Sequence, residues 1–377
     1  MERPTGGNQM KDYSRAVVLE SYETGPEIQE CPIIPPTGRT ILVEVEAATV
    51  CGTDVHISEG TFNQLARLPL IMGHEGTGKV VELGSKEIYD SQGARISEGD
   101  HLVWSHNWCG RCYGCAIAKQ PTLCENTMGY GWGPFEGVLN GTFSEYAHIV
   151  EDSRVLKVPN GIDPALASSA TCALRTVMHA FERMNPIRFS DTVVVLGAGP
   201  VGLYAAAASM KAGAYQTILI GAPASRLEIT SNWDLSSRID IDSTGPGDRV
   251  DQVLQLTNGK GADVVIECAG PPAAFTEGLS MLRKGGQMMV IGQAHGEKVP
   301  VDTTALKVRQ TTIHTSLSAD ISHYYDALKF LESYAETLQL DRIVASPRYA
   351  LSNVRDALDA MKNGSEMKPV ITPKEKA

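Results

Sequence analysis

Four cysteines stand at Cys109, Cys112, Cys115 and Cys124, in the spacing C-x2-C-x2-C-x8-C. Thiolates are soft ligands, and four in one short loop can close a tetrahedral zinc site. Gly110 and Gly114 let the backbone turn tightly between them. Paired disulfides or free thiols are the bland reading, but cysteines at intervals of three offer poor geometry for two bridges. Four protein ligands leave no open position, so a zinc held there would be structural. Three further segments carry metal-ligating side chains: Cys51-Gly52-Thr53-Asp54-Val55-His56, Gly73-His74-Glu75-Gly76 and Cys172-Ala173-Leu174-Arg175-Thr176. Singly each is weak, because a lone histidine or cysteine is more often a core residue than a ligand. Together they offer two thiolates and one imidazole, the ligand set of a zinc whose fourth position stays open.

A second kind of chemistry is written at Gly197-Ala198-Gly199-Pro200-Val201-Gly202. The motif alone says little. Here it follows the apolar run Thr192–Leu196 and opens a helical stretch, Val201–Ala212, which is the context a dinucleotide fingerprint requires. The first glycine permits the tight turn, the second lets the backbone approach a pyrophosphate, and the third lets helix pack on strand. The helix N-terminus adds unpaired N–H groups and partial positive charge.

These residues need elements to hold them. From Tyr13 to about Ala170 the chain reads as short strands with close Gly and Pro punctuation, among them Ile41–Ala47, Lys79–Gly84 and His101–Trp104. Pro164–Met184 then suits a long helix with Asp163 as its N-cap. Strands Thr192–Leu196, Thr217–Ile220, Ala262–Cys268 and Gln287–Ile291 alternate with helices, which indicates a parallel sheet covered on both faces. Helices are expected at His323–Glu336 and Val354–Lys362. The 377 residues have the length of two domains. The net charge of −11 argues against nucleic-acid or anionic-membrane partners, which want a basic face. The uncharged stretch Thr192–Met210 is interrupted by glycines and is better read as strand, turn and helix than as a membrane span. Met1–Lys11 reads as a disordered tail without a signal-peptide core. Eight cysteines, half of them in one loop, point to metal sites in a reducing, cytoplasmic setting.

The joint pattern resembles the medium-chain, zinc-containing alcohol dehydrogenases over nearly the whole chain, Val17 to Ile371. The resemblance implies an α/β protein. A GroES-like β-rich catalytic domain at 1–172 would precede a Rossmann, doubly wound parallel-sheet domain at 173–315, and 316–377 would return to the first. It implies two zinc ions per chain, one catalytic on Cys51, His74 and Cys172, one structural on the four-cysteine loop. Asp54 matches the carboxylate that orients the ligand histidine. Glu75 matches an acid beside the zinc, here read as a supporting group and not a ligand. Thr53 and His56 match the proton-relay hydroxyl and imidazole. Thr176 and Val201 match residues that pack the nicotinamide, Ile291 a backbone contact to its carboxamide, and Lys368 a basic residue near the pyrophosphate.

The pattern also departs from the family. Gly221 stands where an NAD enzyme places the acid that binds the adenosine ribose, and Arg226 lies close enough to meet a ribose or a phosphate. NADP members often place Ser-Arg after such a glycine, whereas Ala222-Pro223 follows here. We expect NAD in preference to NADP. The residue after Cys51, elsewhere an Arg or His, is Gly52, so the phosphates must lean on Gly197, Gly199 and Gly202. Phe62, Trp104, Trp108, Trp132 and Phe135, with the unusual insert at 125–141, would favour an apolar or cyclic alcohol if they line the site. The remaining histidines, His101, His106, His148, His179, His295, His314 and His323, are read as structural, and Cys31 and Cys268 as free thiols. The expected activity is hydride transfer between a small alcohol, ketone or aldehyde and the dinucleotide, in a homodimer or homotetramer. The rivals are an NADP-dependent carbonyl reductase of the same fold and a non-catalytic nucleotide-binding or redox-sensing protein.

Overall fold

Alternating polarity shapes one half of this molecule and continuous apolar runs shape the other. The computed structural model describes residues 12–61, 66–292 and 298–374. It divides into two units, residues 1–168 with 346–377, and residues 169–345.

The first unit is built on the strand Ile41–Thr49. Val43 and Val45 are buried while Glu44 and Glu46 keep partial exposure, the period-two pattern of a strand with one face on a core. It pairs antiparallel with Thr77–Leu83 and with Tyr146–Ile149. Its far end pairs with Val370–Ile371, Val370 opposite Thr49, so the end of the chain closes on an early strand. His101–Trp104 and Val155–Lys157 extend the sheet. A second sheet orders Pro26–Pro32, Tyr13–Leu19 and Leu70–Ile71. Val17, Leu19, Val43, Val80, Leu102 and Phe143 share the core beneath. Each such side chain contributes roughly 1.5–3 kcal/mol by leaving water. Trp104 closes a buried strand and is not a loop residue.

The second unit carries a six-stranded sheet. Ser237–Asp240, Gln216–Gly221, Thr192–Leu196, Ala262–Glu267, Leu282–Val290 and Thr312–Thr315 lie side by side in that order, every pair parallel. In chain order this is 3-2-1-4-5-6, the doubly wound dinucleotide-binding arrangement. The five residues of Thr192–Leu196 are all buried, as a strand covered on both faces must be. The expected strands at 262–268 and 287–291 prove to be Ala262–Glu267 and Leu282–Val290.

Two boundaries differ from expectation. The division falls at 168/169 instead of 172/173, and the second unit runs to Ala345 instead of ending at 315. The reason is packing: the helix Ile321–Tyr334 buries Tyr324, Leu328 and Leu331 within the second unit, and the Trp233 indole N–H donates to the Leu338 carbonyl at 2.6 Å. Only the chain from Ser346 returns to the first unit. The tail before Asp12, Phe62 and His295 lie outside the described residues. Among the described residues no helix is long and apolar enough to cross a membrane.

The helix expected at 164–184 is α-helical over Pro164–Ser169, widens into a π turn over Ala170–Leu174, and resumes as Arg175–Arg183. An inserted π residue shifts the side-chain rotation, a device common at functional positions. Asp163 caps its start, Oδ1 accepting from the N–H groups of Ala165 at 2.8 Å and Leu166 at 3.3 Å. Asp163→Ala should therefore lower unfolding free energy by about 1 kcal/mol, read as a shifted urea midpoint at unchanged slope. A midpoint that does not move would show the cap to be dispensable.

Candidate active site and metal centres

In the first unit, the strand Ile41–Thr49 ends two residues before Cys51, which is the N-cap of the helix Gly52–Ser58. The Cys51 N–H donates to Asp54 Oδ2 at 2.9 Å. The other oxygen of Asp54 accepts from His74 Nδ1–H at 2.9 Å. One buried carboxylate thus fixes a thiol-bearing backbone and an imidazole at once. It also decides the tautomer, leaving Nε2 of His74 to act as a ligand. Single ligand atoms of Cys51, His74 and Glu75 lie within 4.8 Å of one another. Burial would push the His74 imidazole down, but Asp54 and then Cys51 outweigh it and raise its pKa to about 10. A cation on Nε2 would take the place of that second proton. The donor set fits zinc.

Glu75 is fully buried. One carboxylate oxygen lies 3.7 Å from His74 Nε2 and accepts from Lys368 Nζ at 2.6 Å; the other accepts from the Thr49 hydroxyl. Thr49 Oγ1 lies 2.9 Å from Ser168 Oγ. Burial raises the Glu75 pKa and Lys368 opposes it, leaving it at about 7. The Lys368 side chain is only 2% exposed, and its ammonium pairs with Glu75. Thr49, Ser168 and the Lys368 pairing carry no signal in sequence spacing.

Thr53 Oγ1 lies 3.9 Å from Cys51 Sγ, and His56 Nδ1 lies 3.0 Å from Thr61 Oγ1, both on the partly exposed face of the helix. The insert at 125–141 folds back onto His74. Gly131 has φ +80°, and a Cβ there would sit 2.7 Å from the Gly73 carbonyl and 2.9 Å from the His74 nitrogen. That close approach brings the Trp132 ring to 5.9 Å from His74 and 4.3 Å from His106. His106 is thus part of the wall beside His74. Trp108 meets the His106 ring edge-on at 5.9 Å, while Phe135 packs on a separate apolar cluster.

The sulfurs of Cys109, Cys112, Cys115 and Cys124 also lie within 4.8 Å of one another. The N–H groups of Cys109 and Asn126 donate to Cys124 Sγ at 3.3 and 3.4 Å, and that of Cys112 to Cys109 Sγ at 3.4 Å. Such donors favour thiolate. The main chain at Arg111 and Cys112 brings Cys109 down to about 6, while burial and neighbouring thiols push Cys115 up to about 12. Four sulfurs cannot all ionise beside one another without a cation; a divalent ion at their centre removes that conflict.

In the second unit the glycine turn is built as its sequence requires. Gly197 has φ +113°. A Cβ on Gly202 would fall 1.8 Å from the Gly197 carbonyl oxygen, so only glycine closes the helix onto the turn. A Cβ on Gly199 would meet no protein atom within 4 Å, which leaves its backbone open to a ligand. Gly199 caps the helix Pro200–Lys211, with Val201 half-buried in its first turn. Gly197, Gly199, Gly221 and Arg226 line one cavity of about 390 Å³. Arg249 lines it too, but Glu277 holds its guanidinium by two bonds of 2.6 and 2.7 Å. A Cβ on Gly221 would lie 2.5 Å from that of Ala198, so the strand end has no room for an acid without a backbone shift. Thr176 and Ile291 are half-buried and do not line this cavity; Ile291 N–H donates to the Glu267 carbonyl at 2.8 Å. Cys172 sits half-buried in the π turn.

The alcohol dehydrogenase GroES-like domain family matches residues 37–160, and the zinc-binding dehydrogenase family matches residues 200–333. A 5-exo-hydroxycamphor dehydrogenase of Pseudomonas putida is 29% identical, with 95% of this chain and 98% of that one covered. An L-threonine 3-dehydrogenase of Pyrococcus furiosus is 30% identical, with 96% and 99% covered. The crystal structure of an alcohol dehydrogenase from Thermotoga maritima superposes with a TM-score of 0.89 at 30% identity, over 96% of this chain and 100% of that one.

The buried Lys368–Glu75 pair yields a stability prediction. Lys368→Met strands a buried carboxylate and should cost about 3–5 kcal/mol in chemical denaturation. Combining it with Glu75→Gln should recover most of that loss. Equal stability of the single and double variants would show that the ion pair does not govern this site.

Proposed function

Because the chain belongs to the medium-chain, zinc-containing alcohol dehydrogenases, we propose that it oxidises a secondary alcohol, apolar or cyclic in preference to a polyol, with NAD as hydride acceptor. The observation that carries this reading is the Asp54 carboxylate shared between Cys51 and His74, with Nε2 of the imidazole left for a metal. Cys51, His74 and Cys172 are the proposed ligands of a catalytic zinc, and Cys109, Cys112, Cys115 and Cys124 those of a structural one. Cys172 enters by its match to the family pattern. A zinc held there supplies Lewis-acid polarisation, of the kind that lowers the pKa of bound water from 15.7 to about 7.

The protein's own residues do the rest. Asp54 fixes the orientation of the His74 ring and leaves Nε2 for the metal. The Thr53 hydroxyl takes the substrate proton, and His56, on the same helix and partly exposed, passes it to solvent. Acid–base assistance of this kind is worth about 10²–10⁴-fold. Gly197, Gly199 and Gly202 hold the dinucleotide phosphates at the helix N-terminus, with Thr176, Val201 and Ile291 against the nicotinamide. Glu75 and Lys368 support the site as a neutralised pair.

Trp132 beside His74 supports an apolar substrate face, and the relative named for hydroxycamphor agrees. The relatives named for threonine and sorbitol are the counterweight. NAD is favoured because Ala222-Pro223 follows Gly221 and Glu277 offsets Arg249 in the shared cavity. A second reading, an NADP-dependent carbonyl reductase, is favoured by Arg226 and by the absence of an acid at Gly221. The exposed edge strand Thr312–Thr315, with Val308 exposed nearby, is the face available for a homodimer or homotetramer.

Metal analysis should give two zinc ions per chain, and Cys172→Ala should retain one, bind NADH as the native protein does, and lose turnover. Near-normal activity in that variant would remove Cys172 from the ligand set. A panel of cyclic alcohols, 2-propanol, threonine and sorbitol, run with both dinucleotides, should give the highest kcat/KM for a cyclic alcohol with NAD. Arg226→Ala should depress the NADP rate more than the NAD rate. A higher native kcat/KM with NADP would establish the reductase reading instead.

A further inference from the structure

Two buried side chains on the helix Arg175–Arg183 have no part in the chemistry above. Arg175 is only 3% exposed. Its Nε donates to the Thr171 carbonyl, and its Nη1 donates to Ser318 Oγ at 2.8 Å and to the Ala319 carbonyl at 3.5 Å. The same guanidinium stands 5.0 Å over the Tyr324 ring. His179, one turn further on, donates from Nδ1–H to the Ser318 carbonyl at 2.9 Å, with Ser316 Oγ 3.1 Å from that nitrogen. The His323 ring packs on it at 4.6 Å and is itself held by Glu182 and by the Asp320 N–H.

The bonds from Arg175 Nη1 and His179 Nδ1 converge on one turn, Ser316–Ala319. Ser318 has φ +55°, a left-handed conformation that a serine keeps only when its surroundings impose it. Between the tethered residues, Leu317 stays 63% exposed. A burying contact would cover a leucine; this arrangement fixes the backbone and leaves the face open.

The position of the turn gives it meaning. It follows Thr312–Thr315, the last strand of the parallel sheet, and Ser316 N–H lies 3.3 Å from the Val290 carbonyl at the end of the neighbouring strand. Ligands of such sheets bind outside the carboxyl ends of the strands. The strand ending at Gly221 lies to one side of the glycine turn, and the strands ending at Val290 and Thr315 lie to the other. A dinucleotide whose adenosine takes the Gly221 side must send its nicotinamide half toward Ile291 and this turn. We propose that Arg175 and His179 are positioning residues that clamp the turn Ser316–Ala319 and so preorganise the backbone that receives the nicotinamide end of the dinucleotide. The proposal rests on the dehydrogenase reading and adds to it two residues outside the phosphate turn and the metal ligands.

The test separates the two halves of the cofactor. Binding of NADH and of ADP-ribose, which lacks the nicotinamide, is measured by calorimetry on the zinc-loaded native protein and on His179→Leu, His179→Asn and Arg175→Gln. His179→Leu and Arg175→Gln should weaken NADH about tenfold while leaving ADP-ribose within about twofold, because only the preorganised half is lost. His179→Asn, which keeps an N–H donor at that reach, should restore most of the NADH affinity. Should the leucine variant fail to fold, Ser318→Ala removes only the Arg175 bond to the Ser318 hydroxyl, keeps the one to the Ala319 carbonyl, and should give the same split at smaller size. Parallel weakening of both ligands, or unchanged binding of both, overturns the clamp. A native protein that binds ADP-ribose and NADH equally well overturns it too, and one that binds no dinucleotide refutes the dehydrogenase reading beneath it.

Discussion

The carboxylate of Asp54 is fully buried, and each of its oxygens is used: one by the Cys51 main chain, the other by the His74 ring. The rest of the first unit is arranged so that this group can exist. A buried carboxylate is tolerated only when it is hydrogen-bonded or paired, so the strand Ile41–Thr49 must end where it does and His74 must come from a separate loop to meet it. The hydrogen bonds orient Cys51 and His74 in advance, the way surrounding groups raise affinity and fix geometry at a metal site.

In both units the fold tolerates charge where it would usually exclude it. Glu75, Lys368 and Arg175 are all buried, and each is matched by partners of complementary charge or by main-chain oxygens. A buried ion pair gives little net stability, yet removing one member leaves the other uncompensated. These groups therefore act as fixed points. Glu75 is held beside His74 by Lys368 and Thr49, and the turn Ser316–Ala319 is held by Arg175 and His179. In both cases short, charge-bearing contacts define the position of a backbone or a carboxylate more sharply than apolar packing would.

The two units meet this demand with different materials. The first uses long loops pinned by glycine at close approaches, as where Gly131 lets the insert rest on the Gly73–His74 backbone and sets Trp132 against the imidazole. The second uses a regular parallel sheet whose strand ends form the ligand edge. There the glycines at Gly197 and Gly202 are required by sterics within the protein, and the one at Gly199 leaves open space.

Much of this was legible in the residues alone. Local chemistry writes itself into spacing: the four-cysteine loop, the glycine turn between strand and helix, and the Asp163 cap are each contained within a few residues. The covered parallel strand Thr192–Leu196 announced itself as an uninterrupted apolar run, because both its faces are buried. The family pattern supplied Asp54 as the partner of His74, twenty residues away. What sequence could not supply were contacts between distant segments. Lys368 meets Glu75 across 293 residues of chain, and only the pairing of Val370–Ile371 with the strand Ile41–Thr49 brings them together. The charge of that lysine was legible in the sequence; its burial was not. Sequence reasoning read His106 and His179 as structural residues, and both are buried; which groups surround them is a matter of tertiary structure. It ended the second unit too early because the helix Ile321–Tyr334 carries no mark of the sheet it belongs with. Residue types and short spacings determined which chemistry this chain can do; the folding of remote segments against one another decided which charges are buried, which are paired, and where each one stands.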